Sequence, residues 1–282
     1  MTADGNPRIE YVEARRVLLD ALVALQPHAD AVILIGAQAV YLRTADRMPT
    51  YQAFTTDADL AIDPGQLAAT PLLEDALAAA GFNYSGEPGI WTKRVQRPDL
   101  DGHLDIPVDL IVPKRIASKA GSRGARLPGG HGRFSARKTE GVEGALIDHS
   151  LLELTGLEAG DPRRVNVRVA GPAALTVAKA HKLGERLDTP HRLQAKDAGD
   201  VYRLFDATSV AEMAATAKRL LADERSASTV LKGLGYLRQL FATPRSPGTQ
   251  LAVQALSAII DEPTATTFVT GYTQELIHQI QP

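Results

Sequence analysis

The chain has 282 residues, an apolar fraction of 44% that argues against wholesale disorder, and a formal net charge of −2 at pH 7. That length supports a sizeable core in one large domain or two smaller ones, and the charge balance leaves any nucleic-acid contact to a local basic patch. The absence of cysteine excludes disulfides and cysteine-ligated zinc or iron–sulfur centres and suits a cytoplasmic protein. The acids and arginines between Glu10 and Arg16 are unlike a signal peptide, and no apolar run is long enough to span a bilayer, so the sequence predicts a soluble protein without a membrane partner.

Ile9 to Leu25 carries apolar residues at helical spacing and predicts an amphipathic helix. The β-branched run from Ala31 to Ile35 predicts a buried strand ended by Gly36, with a helix over 37–43. Thr55 to Ile62 predicts a second strand, and Pro64 the first turn of a helix that stops at Gly81. Strands are expected over 90–95, 104–112 and 165–169. Lys114 to Lys138 is rich in glycine and holds eight Lys or Arg residues and no acid, which predicts a mobile loop or irregular excursion. From Pro172 the pattern is helical, over roughly 173–187, 193–205, 210–221, 226–241, 250–260 and 264–280. The expected class is α+β: a mixed sheet with flanking helices over residues 1–170, followed by a helical domain over 171–282.

The strongest local signal is Thr56-Asp57-Ala58-Asp59-Leu60. On a strand, residues two apart point to one face, about 6–7 Å apart at Cα, so two carboxylates there can converge on hard divalent cations. Alone, D-x-D is a short pattern that recurs in loops. Upstream, Gly36 ends a strand and precedes a helix start, where backbone N–H groups favour an anion; an ordinary strand–helix turn also takes glycine. Downstream, Asp109 lies among Val108, Leu110 and Ile111, where a buried carboxylate needs a cation or strong hydrogen bonds; the alternation also allows Asp105 and Asp109 simply to share a solvated face.

From Val32 to Val112 this arrangement resembles the nucleotidyltransferase superfamily typified by DNA polymerase β: a strand, a glycine turn, a helix, a D-x-D strand and a third acid on a later strand. The resemblance implies the nucleotidyltransferase fold and a two-metal phosphoryl transfer. Asp57 and Asp59 would hold two Mg2+ ions against an NTP triphosphate, and Asp109 would join the metal that activates the attacking hydroxyl. Two features depart from the pattern. Ala37 stands where Gly or Ser is usual, so backbone N–H groups or Gln38 would serve beside Gly36, and the stretch from Gly36 to Asp57 is longer than usual.

Farther on, Lys179, Lys182 and Arg186 stand at i, i+3 and i+7, and Asp197 and Asp200 three apart, each set on one helix face. This segment resembles the AbiEii-type nucleotidyltransferases, a group that includes toxins of toxin–antitoxin pairs and the mycobacterial MenT enzymes. The resemblance implies that Lys179, with Lys182 and Arg186, contacts NTP phosphates, that Asp197 or Asp200 completes the site or positions the lysine, and that the helical domain completes the active site. It also implies NMP transfer from an NTP to an acceptor hydroxyl, the 3′ end of tRNA in the MenT enzymes, and an antitoxin partner. A surface ion-pair network between antiparallel helices would give the same spacing. A protein side chain or a small molecule is an alternative acceptor, and an NTP-binding regulatory module an alternative to an enzyme. Arg123, Arg126, Arg133 and Arg137 are candidate RNA contacts, with a solvated loop as the other reading. His103, His131, His149, His181 and His191 show no metal-ligand spacing, and Trp91 reads as a packing residue.

Overall fold

The β-branched and alternating runs of the first 170 residues assemble into one mixed sheet. A computed structural model describes residues 9–45, 47, 54–97, 102–117, 123–158 and 160–280. These divide into two compact units, drawn from 1–39, 52–139 and 149–170, and from 40–51, 140–148 and 171–282.

The first unit begins with helix α1 (Ile9–Ala24) and contains strands β1 (Val32–Ile35), β2 (Ala58–Ile62), β3 (Asn83–Tyr84), β4 (Ile90–Arg97), β5 (Gly102–Pro113), β6 (Arg137–Thr139), β7 (His149–Thr155) and β8 (Arg164–Ala170). The sheet order is β3-β4-β5-β2-β1-β8-β7, with β6 paired to β5. β2 runs antiparallel to β1 and parallel to β5, so the two strands bearing the acids lie side by side at the sheet centre. Helix α1 buries Val17, Leu18, Leu19 and Leu22 and packs on β5 and β8. Helix α2 (Gly36–Thr44) begins directly where β1 ends.

Helix α3 covers only Leu73–Ala79, shorter than the span expected from Pro64. Pro71 lacks the N–H that a continuous helix needs, and the residue before a proline is biased away from the helical region, so the helix starts after it. Three strands carry no clear signal in the sequence. Of these β7 is an edge strand in which only Leu154 is buried, so burial imposes no alternation on it.

The second unit holds α4 (Pro172–Gly184), α5 (Ala195–Ala207), α6 (Val210–Ala222), α7 (Ala227–Phe241), α8 (Pro247–Leu256) and α9 (Glu262–Ile280). Their apolar faces meet in a core that includes Leu183, Val201, Phe205, Leu237, Phe241 and Leu276. Phe205 stacks on Tyr272 at 4.1 Å, and the Tyr272 hydroxyl donates to the Thr208 carbonyl at 2.8 Å, so the ring is buried with its polar end satisfied. Ser209 and Glu212 form a capping box at the start of α6. The fold is α+β, with the sheet in the first unit and a helical assembly in the second.

Candidate active site

Strand register sets the first feature. Asp59 on β2 is the Cα partner of Asp109 on β5 in the parallel pair, and of Ile35, the last residue of β1, in the antiparallel pair. Asp57 stands two residues before Asp59, just ahead of the first residue of β2. Burial pushes the Asp109 carboxyl above its ordinary range despite the ion pair with Arg137, and the negative charges of Asp57 and Glu87 push in the same direction. That mutual influence brings Asp57 and Asp109 into one electrostatic cluster. A partly buried set of carboxylates is a donor set suited to hard divalent cations.

Gly36 places the start of α2 over this cluster. Its φ is 70°, and a Cβ there would run into the Asp59 carboxylate. Only glycine lets the backbone take this turn and approach the acid so closely. The first N–H groups of α2 have no carbonyl partner within their own helix and carry its positive dipole end. Ala37 is 7% exposed, and its methyl adds no donor at the turn.

Gln38 is 1% exposed, and its amide is engaged inside the unit. Its Oε1 accepts from Arg15 Nε at 2.8 Å, and its Nε2 donates to the carbonyls of Asp57 at 3.1 Å and Ala14 at 3.3 Å. Arg15 is itself buried and donates to the Tyr11 hydroxyl and the Thr155 carbonyl. Gln38 thus fixes the backbone of Asp57, while the Thr55 hydroxyl donates to its Oδ1. Thr55 and Arg15 are positioning residues that no motif marks, because their spacing to the acids is set by tertiary packing.

Arg137, grouped by sequence with the basic excursion, begins β6. Its Nη2 donates to Asp109 Oδ2 at 2.6 Å and its Nη1 to Thr139 Oγ1 at 3.2 Å. Asp105, nearer the other end of β5, pairs instead with Arg94 across the ladder at 2.9 Å and is exposed. The two acids of β5 are therefore distinct in environment. The basic excursion is irregular as expected, but its described part is tied down rather than loose. His131 accepts from Leu73 N–H at Nδ1, 3.1 Å away, and donates from Nε2 to the Ala68 carbonyl. Glu74 accepts from Gly132 N–H and the Ser135 hydroxyl. Trp91 is buried and donates to the Ser135 carbonyl at 3.0 Å, a packing role. Arg123, Arg126 and Arg133 are exposed, and Arg133 lies 4.3 Å over the ring of Phe134, which stacks with Tyr84. Lys119 lies outside the described residues.

In the second unit, Lys179 on α4 is 6% exposed and donates to Asp197 Oδ1 at 2.8 Å and to Asp200 Oδ2 at 2.6 Å, both acids on α5. Lys182 adds a bond to Asp197 Oδ1 at 3.0 Å. This is a buried cluster and not a surface network. Burial alone would lower the Lys179 pKa, but Asp200 and Asp197 together hold it above its ordinary value. Burial opposes ionisation of Asp197 as well, yet Lys179 and Lys182 bring its carboxyl down to about 2. The ammonium stays charged. Asp197 Oδ2 and Asp200 Oδ1 are buried and, among the described residues, without hydrogen-bond partners. Arg186 lies beyond the end of α4, so it leaves the helix face of Lys179 and Lys182; its Nη1 donates to the Arg192 carbonyl at 3.2 Å.

Comparison with protein-family models, with curated proteins and with solved structures gives no match to this chain. Among the described residues no helix is long and apolar enough to cross a membrane.

Proposed function

We propose that this chain is a magnesium-dependent nucleotidyltransferase that moves an NMP from an NTP to an acceptor hydroxyl, with pyrophosphate as leaving group. The observation that carries this reading is the register of Asp59 with Asp109 across β2 and β5, with Asp57 two residues away and Gly36 packed against the Asp59 carboxylate. Asp57, Asp59 and Asp109 are the residues that would hold Mg2+, and the bound ions would supply charge neutralisation at the phosphates and a lowered pKa at the attacking hydroxyl.

The chain's own groups do the remaining work. Backbone N–H groups at the start of α2 bind an anionic phosphate. Thr55 and Gln38 hold Asp57 in one orientation. Arg137 balances Asp109 until a stronger cation competes for it. In the second unit, Asp197 and Asp200 keep Lys179 charged, as phosphate contact would require. The resemblance supplies the acceptor in this reading, the 3′ end of tRNA, and casts the chain as a toxin opposed by an antitoxin partner.

The test is incubation of the full chain with each α-labelled NTP, Mg2+ and total tRNA, resolved on denaturing gels, with total protein as a parallel acceptor. Label on RNA that disappears in Asp57→Asn and Asp59→Asn supports the reading. Each substitution should lower the rate by at least ~10³-fold, because a ligand to the reacting centre is lost. Near-normal turnover in a well-folded Asp57→Asn protein would sink it, and NTP binding without turnover on any acceptor would make the chain a regulatory module.

A further inference from the structure

The second unit holds a cluster that the nucleotidyltransferase reading does not use. His181 on α4 is 1% exposed, and its Nε2 lies 2.8 Å from the carbonyl oxygen of Thr229. A carbonyl only accepts, so Nε2 carries the proton and Nδ1 of the neutral ring keeps its lone pair. That Nδ1 is buried and, among the described residues, without a hydrogen-bond partner. Glu185, one helical turn on, has its Oε1 3.7 Å from this Nδ1, and Glu140 joins the group from a separate segment. One ligand atom from each of the three lies within 4.8 Å of the others.

We propose that Glu140, His181 and Glu185 form a binding site for a divalent transition-metal ion of the zinc type. One imidazole nitrogen and two carboxylate oxygens form a borderline donor set, and a water in a fourth position would complete a tetrahedron. The hydrogen bond from Nε2–H to a backbone carbonyl is the outer-shell contact that fixes the tautomer and orientation of a metal-binding histidine. Tyr236 meets the ring edge-on at 5.3 Å and further restrains it. Gly141, at φ 100°, lets the segment carrying Glu140 lie against this ring, since a Cβ there would come 2.6 Å from His181 Cβ.

Tetrahedral ligation with bonds of about 2.0–2.2 Å brings ligand atoms closer together than 4.8 Å, so the site must contract on binding. The two glutamates can supply that movement: the Glu185 side chain is 48% exposed and that of Glu140 27%. Lys232 donates to Glu140 Oε1 at 2.8 Å and is the cation that the metal would displace. Histidine spacing does not mark this site, because two of its residues are glutamates and one comes from a distant segment. The spacing of four between His181 and Glu185 is the part of the signal the sequence carries.

The experiment uses the full chain freed of metal by chelation. Zn2+ is titrated in equilibrium dialysis, and Co2+ is added as a spectroscopic probe that reports four-coordinate geometry and, through a paramagnetically shifted exchangeable imidazole proton, histidine ligation. The expected result is one tight equivalent with an imidazole signal in both the wild type and Asp57→Asn, which separates this site from the carboxylates of the first unit. Glu140→Gln and Glu185→Gln should each weaken Zn2+ binding at least about tenfold while circular dichroism shows the fold intact. Zn2+ affinity unchanged in both glutamine variants, or binding lost in Asp57→Asn, or Co2+ bound without an imidazole signal, would overturn the assignment.

Discussion

The guanidinium of Arg137 donates to the carboxylate of Asp109 at 2.6 Å, although Arg137 belongs by sequence to a run of basic residues without acids. Even with this partner, burial keeps the Asp109 carboxyl above its ordinary range. The folded state therefore holds a proton on Asp109 more tightly than the unfolded state does. Stability from this group is present below the unfolded pKa and is lost as pH rises through the higher folded value. Asp109→Asn removes the ionisation and should leave the melting temperature at pH 7 unchanged or higher, with the difference from wild type shrinking as pH falls through the window between the two pKa values. Transfer activity should disappear in the same variant. A markedly lower melting temperature at pH 7 would mean that the ion pair with Arg137 outweighs burial.

Gly36→Ala tests the turn that opens α2. The residue sits at positive φ, and the new Cβ meets the Asp59 carboxylate, so the backbone and the acid must both shift. A loss of roughly 1–3 kcal/mol is expected from the strained conformation, with a rise in the NTP concentration needed for half-maximal rate. Differential scanning calorimetry and initial-rate kinetics read the two effects separately. A variant as stable as wild type would show that the turn relaxes without strain.

Lys179 is expected to matter for stability as well as chemistry. Lys179→Met leaves Asp197 and Asp200 buried, with Lys182 remaining beside Asp197 among the described residues, and removing one member of a buried pair typically costs about 3–5 kcal/mol. The pH dependence has a definite sign. Asp197 is lowered from 3.8 to about 2, so its contribution, on the order of 2 kcal/mol, is present above the unfolded pKa and lost as pH falls through the folded value. Urea melts of wild type at pH 6 and pH 2 should show this loss, and Lys179→Met should flatten it. Equal stability of Lys179→Met and wild type at pH 6 would mean that water reaches the cluster.

What was legible in the sequence follows from how local each signal is. Val32-Ile-Leu-Ile35 and Ile106 to Val112 carry enough apolar and β-branched residues to announce central strands, and Asp59 and Asp109 stand out because they interrupt such runs. The six helices after residue 171 announce themselves by their apolar periodicity. The edge strand β7 does not, since it buries only Leu154. Arg137 reads as a surface cation until β6 pairs with β5 and carries it to Asp109. The burial of Lys179 is equally hidden, because the spacing of Lys179, Lys182, Asp197 and Asp200 suits a solvated network as well as a buried one. Gln38 carries a side chain suited to a ligand, and its partners Arg15, Ala14 and Asp57 are set by packing over more than twenty residues of separation on the α1 side.

The last prediction concerns the acceptor. Arg123, Arg126 and Arg133 remain exposed on an excursion held in place by Glu74 and Trp91, and Arg133 covers Phe134, which stacks on Tyr84. Exposed cations beside stacked aromatic rings suit a single-stranded nucleic-acid end, because bases stack on rings while phosphates release counterions to the arginines. Replacing these three arginines together by Ala should weaken RNA labelling and flatten its dependence on salt, while NTP binding and the melting temperature change little. Arg137 stays in place in this variant, since its loss would disturb Asp109 and confound the reading. Phe134→Ala should lower labelling at every salt concentration without altering the slope, because stacking involves no counterion release. A triple variant whose labelling and salt slope match wild type would exclude this surface as the RNA site, even if RNA proved to be the acceptor.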